Sequence, residues 1–142
     1  MKKLLIATLA TSILTAASAA MAGGTATLNV SATVQATCSI TGGTLNFGFL
    51  DPTLNGAVTA NSSGVAVTCT NSTGYTLSDA STNGYKLAFG GNDIPYTINY
   101  TKSGTGTGAA QTVAIAGNIA AGTYGTVPAG TYTDTITISV TP

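Results

Sequence analysis

The sequence contains no histidine, no glutamate and no arginine, and charged residues fill only 6% of its 142 positions. Without histidine, neither a Ser-His-Asp nor a Cys-His arrangement has a base to activate its nucleophile. Lys102 and Ser103 are the remaining pairing for a nucleophilic site, but neighbours in an extended chain point apart, and KSGTGTG reads as a flexible hairpin loop. That glycine-rich stretch also lacks the Gly-Lys-Ser/Thr ending of a phosphate loop and opens no helix. Asp51, Asp79, Asp93 and Asp134 stand apart in the chain, without the alternating carboxylates of a calcium loop. Asp51-Pro52 and Asn92-Asp93 are read instead as turn caps, their side-chain oxygens bonding turn N–H groups. No catalytic residue, metal site, cofactor or small-molecule substrate is therefore expected.

Long apolar runs are scarce too, and the one present lies at the start, where Lys2 and Lys3 precede LLIATLATSILTAA. It is shorter than the roughly 20 residues that span a bilayer and is diluted by Thr and Ser. With small residues following, it reads as a secretory signal peptide. The AMA pattern at Ala20 to Ala22 places cleavage before Gly23, with ASA at Ala17 to Ala19 a weaker competitor. Residues 1–22 are the expected leader, and the remaining 120 of the 142 residues suffice for one domain. In that part Lys86 and Lys102 oppose the four aspartates, a net charge of −2 that attracts neither nucleic acid nor an anionic membrane. Only two cysteines exist, Cys38 and Cys69; in an exported chain an even count reads as one disulfide, and a metal site would lack two ligands.

What remains is a chain of strands. No segment after Gly23 sustains a 3.6-residue apolar period, whereas short runs rich in Val, Ile, Thr and Tyr recur between Gly, Asn and Pro clusters. Strands are predicted at Leu45 to Phe49, Gly64 to Thr70, Tyr75 to Asp79, Tyr85 to Phe89, Tyr96 to Tyr100, Thr112 to Gly117 and Tyr132 to Val140. Turn residues separate them at DPTLNG, TNG, GGNDIP, SGTGTG and VPAG. This spacing points to an all-β, immunoglobulin-like β-sandwich. In the last run Ile136, Ile138 and Val140 share one face and Thr135, Thr137 and Ser139 the other. Asp134 has the inward parity of that strand, so it is expected at the rim, near solvent or backbone N–H groups. Tyr96 and Tyr100 alternate with Ile98 and read as packing residues, with an exposed sugar platform as the competing reading.

The N-terminal stretch GGTATLNVSATVQATCSI alternates without a break. Ala26, Leu28, Val30, Ala32, Val34, Ala36 and Cys38 occupy one face, and Thr, Asn, Ser and Gln the other. Strands usually run about 3–10 residues, so this exceeds what one ordinary strand needs.

The order ATCSI, LNFG, VAVTC, YTINY, AIAGNI and VPAGTYTDTITISV resembles the spore coat protein U domain, the module of secreted pilins in archaic chaperone-usher pili. The resemblance covers nearly all of the chain after Gly23. It implies a sandwich lacking its last strand and completed by donor-strand exchange, in which an extension from the next subunit fills an open apolar groove. On that basis residues 23–35 are the donor-strand extension, with Ala26, Leu28, Val30, Ala32 and Val34 inserted, and 36–142 are the incomplete pilin domain. Ile136, Ile138 and Val140 would then edge the groove. Relatives often carry a Trp-Gly element after the YTINY-like strand and end on an aromatic residue, whereas here TKSGTGTG follows Tyr100 and the chain finishes at Pro142. The partners implied are a periplasmic chaperone, an outer-membrane usher and copies of the chain or related pilins, with export through the periplasm to a surface pilus. The competing readings are a secreted binding module, such as a tip adhesin or carbohydrate-binding sandwich, and a spore coat component.

Overall fold

The computed structural model describes residues 23–142; the signal-peptide reading at 1–22 falls outside the described residues. Residues 23–37 carry no strand, and the side chains of Leu28, Val30 and Val34 are 85%, 85% and 82% exposed. From Cys38 onward the chain forms eleven strands and no helix. These are β1 (Cys38–Thr41), β2 (Val58–Asn61), β3 (Ala66–Cys69), β4 (Gly74–Ser81), β5 (Lys86–Phe89), β6 (Asn92–Pro95), β7 (Thr97–Asn99), β8 (Ser103–Thr105), β9 (Ala110–Thr112), β10 (Ala116–Ile119) and β11 (Ile136–Thr141).

All pairings are antiparallel, and they assemble into two interrupted layers of an immunoglobulin-like sandwich. In the first, β1-β3-β9 and β2-β10-β7 are successive parts of one sheet. The stretch from β2 to β3 runs beside that from β9 to β10, and between the regular parts Ser62 N–H donates to the Ile115 carbonyl (2.8 Å) and Val113 N–H to that of Val65 (3.0 Å). Gly64, at φ 84°, bends the strand where the ladder breaks. In the second layer β8-β4-β11 leads into the β5-β6 hairpin: Thr82 N–H donates to the Thr135 carbonyl, and Ala88 bridges Thr133. Gly90 and Gly91 close the hairpin at φ 56° and 82°, the left-handed pair that a two-residue turn between right-twisted strands needs.

Two apolar clusters hold the layers together. One joins Val65, Val67 and Cys69 to Leu77, Tyr100, Val113 and Ile115; the other joins Ile94 and Tyr96 to Ile119 and Tyr124. Ile98 packs against both. Cys38 lies opposite Cys69 in the β1–β3 register, and the two are bonded as a disulfide.

Several boundaries differ from the sequence reading. Leu45 to Phe49 is not a strand: the Asn46 side chain accepts the Gly48 N–H (2.8 Å), and Gly48 turns at φ 72°. Thr112 to Gly117 splits into β9 and β10, and Tyr132 to Val140 becomes regular only at Ile136. The strands at Val58–Asn61 and Asn92–Pro95 were hidden among turn-forming residues. Asn92 and Asp93 accordingly sit on β6, where Asp93 pairs with Lys86 at 3.3 Å, rather than capping a turn. Ser103–Thr105, read as part of a loop, pairs with β4. Asp51 does cap its turn, accepting the Thr53 N–H (2.8 Å) and hydroxyl (2.6 Å).

Candidate functional site: an apolar groove between two free strand edges

Among the described residues, β1 pairs only with β3 and β11 only with β4. Each therefore presents a strand edge without a backbone partner, the two edges face each other, and an apolar groove of about 450 Å³ lies between them. The alternation of each strand directs its apolar residues inward: Ile40 on β1, Ile136 and Ile138 on β11, all half-buried. Val65 and Ile115, both in the buried core, form the floor. Toward one end Leu45 and Phe47 join Leu87, and there the groove meets a second cavity of about 530 Å³ that extends past Tyr124 and Tyr132. Phe47 is held edge-on to the Tyr96 ring, with centroids 5.8 Å apart. Beneath it lies the buried Gly117, where a Cβ would come within 2.7 Å of the Phe47 ring.

One charge stands in this apolar surface. Asp134 precedes β11 on its inward parity and accepts hydrogen bonds from Tyr96 OH (2.7 Å), the Ser81 hydroxyl, and the backbone N–H groups of Asn83 (3.1 Å) and Thr135 (2.7 Å). Burial alone would push its carboxyl up; the hydrogen bonds from Ser81, Tyr96, Thr135 and Asn83 outweigh burial and hold it below the usual carboxylate range. The rim position expected for Asp134 is thus occupied, with backbone donors as its partners. Tyr96 is pushed well above the ordinary tyrosine value, first by burial and then by this carboxylate. A parallel arrangement surrounds Asp79, opposite Ile138 on β4, whose carboxylate accepts the hydroxyls of Tyr100 and Tyr85 and is lowered by them in that order. Tyr96 and Tyr100 are 6% and 9% exposed, which supports packing over a sugar platform.

The groove brings Ile136 and Ile138 together with Ile40, Leu45, Phe47 and Leu87, while Val140 packs on the core beside Leu77. Sequence reasoning missed most of the opposite wall. Ile40 shares Cys38's parity, which marked it as inward; Leu45 and Phe47 carried the same alternation although their segment is not a strand. Tyr96 was read as a packing residue and Leu87 as part of a strand, but nothing local placed either at the groove, because only the fold carries them there. Chemically the site offers apolar pockets at two-residue spacing flanked by free backbone N–H and C=O groups, the complement of an extended peptide. Among the described residues no three His, Cys, Asp or Glu side chains converge as metal ligands would.

Fold and groove together define an all-β sandwich of immunoglobulin type that presents free strand edges beside an apolar groove. The chain belongs to the Spore Coat Protein U domain family, whose model matches residues 24–101. That family is associated with pilus and fimbrial subunits. A search of curated proteins finds no match to the chain.

Proposed function

We propose that the chain is a structural pilin: a subunit exported through the periplasm and built into a surface pilus by a chaperone and an outer-membrane usher, through donor-strand complementation. The observation carrying this reading is the groove between the free edges of β1 and β11, lined by Ile40, Ile136 and Ile138. Exposed edges over apolar surface invite aggregation unless a strand covers them, and an inserted strand supplies both the missing ladder and the missing side chains. Residues 36–142 form the incomplete domain. Residues 23–35 supply the occupant for the next subunit, with Ala26, Leu28, Val30, Ala32 and Val34 on the inserted face. Family membership and the high exposure of Leu28, Val30 and Val34 support this assignment. The fibre's contribution is adhesion or biofilm formation.

The test is Val30→Arg. Since the extension lies outside the folded domain in this reading, the variant folds and is captured by its chaperone but does not polymerise, while Thr27→Ser, on the outward face, assembles normally. Electron microscopy of cells producing each variant reads the result, and fibres of normal length from Val30→Arg would remove the extension from its assigned role.

A further inference from the structure

The point at which the extension joins the domain carries a specific device. β1 begins at Cys38, yet its ladder continues for one more residue, because Thr70 N–H donates to the Thr37 carbonyl (2.9 Å). Beyond Thr70 the partner chain turns away: Thr73 N–H donates to the Thr70 carbonyl (3.0 Å), and Ser72 takes φ 61°. Beyond that last backbone bond to Thr37, no strand backbone of β3 continues alongside residues 35 and 36. The Thr70 hydroxyl takes over there, accepting the Thr37 N–H (3.1 Å) and reaching the Gln35 carbonyl as a donor (3.2 Å), with the Thr37 carbonyl (3.4 Å) and hydroxyl (3.3 Å) also within reach. One side chain thus ties both Gln35 and Thr37 to the end of β3.

The free edge of β1 faces the groove. A tight reversal at residues 35–37 would lay 28–34 antiparallel along that edge, as the second strand of a hairpin, and place the chain's own apolar residues in its own groove. Such a tethered segment acts at an effective concentration on the order of millimolar, about a thousandfold above a second copy at micromolar concentration. Self-insertion would therefore win unless something opposes the reversal.

We propose that Thr70 is a positioning residue that holds residues 35–37 straight and so keeps the groove open to the segment of a second copy. This inference rests on the donor-strand reading. Thr70→Val keeps the shape and the backbone bond to Thr37 but removes every hydrogen bond of the hydroxyl, Thr70→Ser keeps them, and Thr70→Ala is a second variant without the hydroxyl should Val fail to fold. The exported chain in each version is separated by size at low micromolar concentration, and amide exchange is followed in monomer and oligomer fractions. In the wild type and Thr70→Ser, amides 26–34 exchange freely in the monomer and become protected only in oligomers. Loss of two hydrogen bonds enlarges the population of monomers protected at 26–34 by about tenfold in Thr70→Val or Thr70→Ala, independently of dilution. Protection at Val67 and Cys69 in every version establishes that the domain is folded. If the variants lacking the hydroxyl match the wild type while wild-type oligomers protect 26–34, the role of Thr70 is overturned and the donor strand stands. If wild-type oligomers leave 26–34 unprotected, the donor-strand reading falls and this inference with it.

Discussion

Two carboxylates placed against apolar surface show how this molecule uses its few charges. Asp79 and Asp134 lie on the inward parity of β4 and at the head of β11, and three tyrosine hydroxyls turn toward them. Tyr96 stands where the chain crosses from β6 to β7, so its bond to Asp134 ties the two layers at the groove. Removing that hydroxyl by Tyr96→Phe should cost about 1 kcal/mol of unfolding free energy, read from denaturant midpoints, with the ring packing on Phe47 retained. Both carboxyls are held below their ordinary value of 3.8 in the folded state. Their contribution is therefore complete above that pH and is lost as the pH falls through the lower folded values. Acid unfolding below about pH 4 should be less steep in an Asp79→Asn, Asp134→Asn double variant than in the wild type. Equal slopes would show that the tyrosine hydrogen bonds do not discriminate between charged and neutral acid. Lys102 approaches Asp79 at 3.7 Å but is 71% exposed, so Lys102→Ala should leave the profile nearly unchanged.

Among the elements, β1 and β11 matter most because each is secured on one side only and both line the groove. The Cys38–Cys69 disulfide closes a separation of 31 residues and anchors β1 to β3. In the chain-entropy model a loop of that size contributes about 3–4 kcal/mol, so a Cys38→Ser, Cys69→Ser variant should lose that much stability. The amides of β1 should gain more exchange than those of β4, since β1 has no second partner. Gly117 on β10 contributes by having no side chain: Phe47 and Leu45 rest over it. Gly117→Ala should cost about 1–3 kcal/mol and displace Phe47. Crystallographic comparison of the variant would show a rotated ring; an unmoved Phe47 would mean that β10 shifts instead. Strand periodicity located β3, β4, β5, β7 and β11 well, because alternation over four or more residues is a property of the local chain. It concealed the break at residues 113–115, where the inward-facing Val113 and Ile115 preserve the alternation while the ladder is interrupted. It also missed β8, whose Ser-Gly-Thr sequence becomes a strand only because β4 offers it an edge.

For the whole molecule, an open groove with two bare edges should make the isolated chain self-associate. Residues 23–142 produced alone should run as heterogeneous oligomers in size-exclusion chromatography, and a stable, monodisperse monomer would count against the missing-strand reading. Leu28, Val30 and Val34 together offer on the order of 5–9 kcal/mol on burial before the cost of ordering the segment. If residues 26–34 are the donor strand proposed above, polar residues at 28, 30 and 34 should abolish assembly and leave the domain's own unfolding transition in place.

The sequence by itself determined the class of structure and much of its logic. Absence of histidine removed the usual catalytic bases, period-two patterning specified strands, and the cysteine pair and terminal alternation marked the first strand and a segment exceeding it. These properties are local, set by side-chain type and spacing along the chain. Only the tertiary structure decided which apolar residues meet in the groove. Ile40 lies far in sequence from Leu87, Tyr96 and Ile136, and pairing of β1 with β3 and of β11 with β4 is what leaves two edges free beside the groove they line. The tertiary structure likewise decided the partners of Asp134 and the meeting of Thr70 with residues 35–37. A hydroxyl or carboxylate bonds whatever donor or acceptor the fold brings within about 3 Å, and no local pattern records that partner.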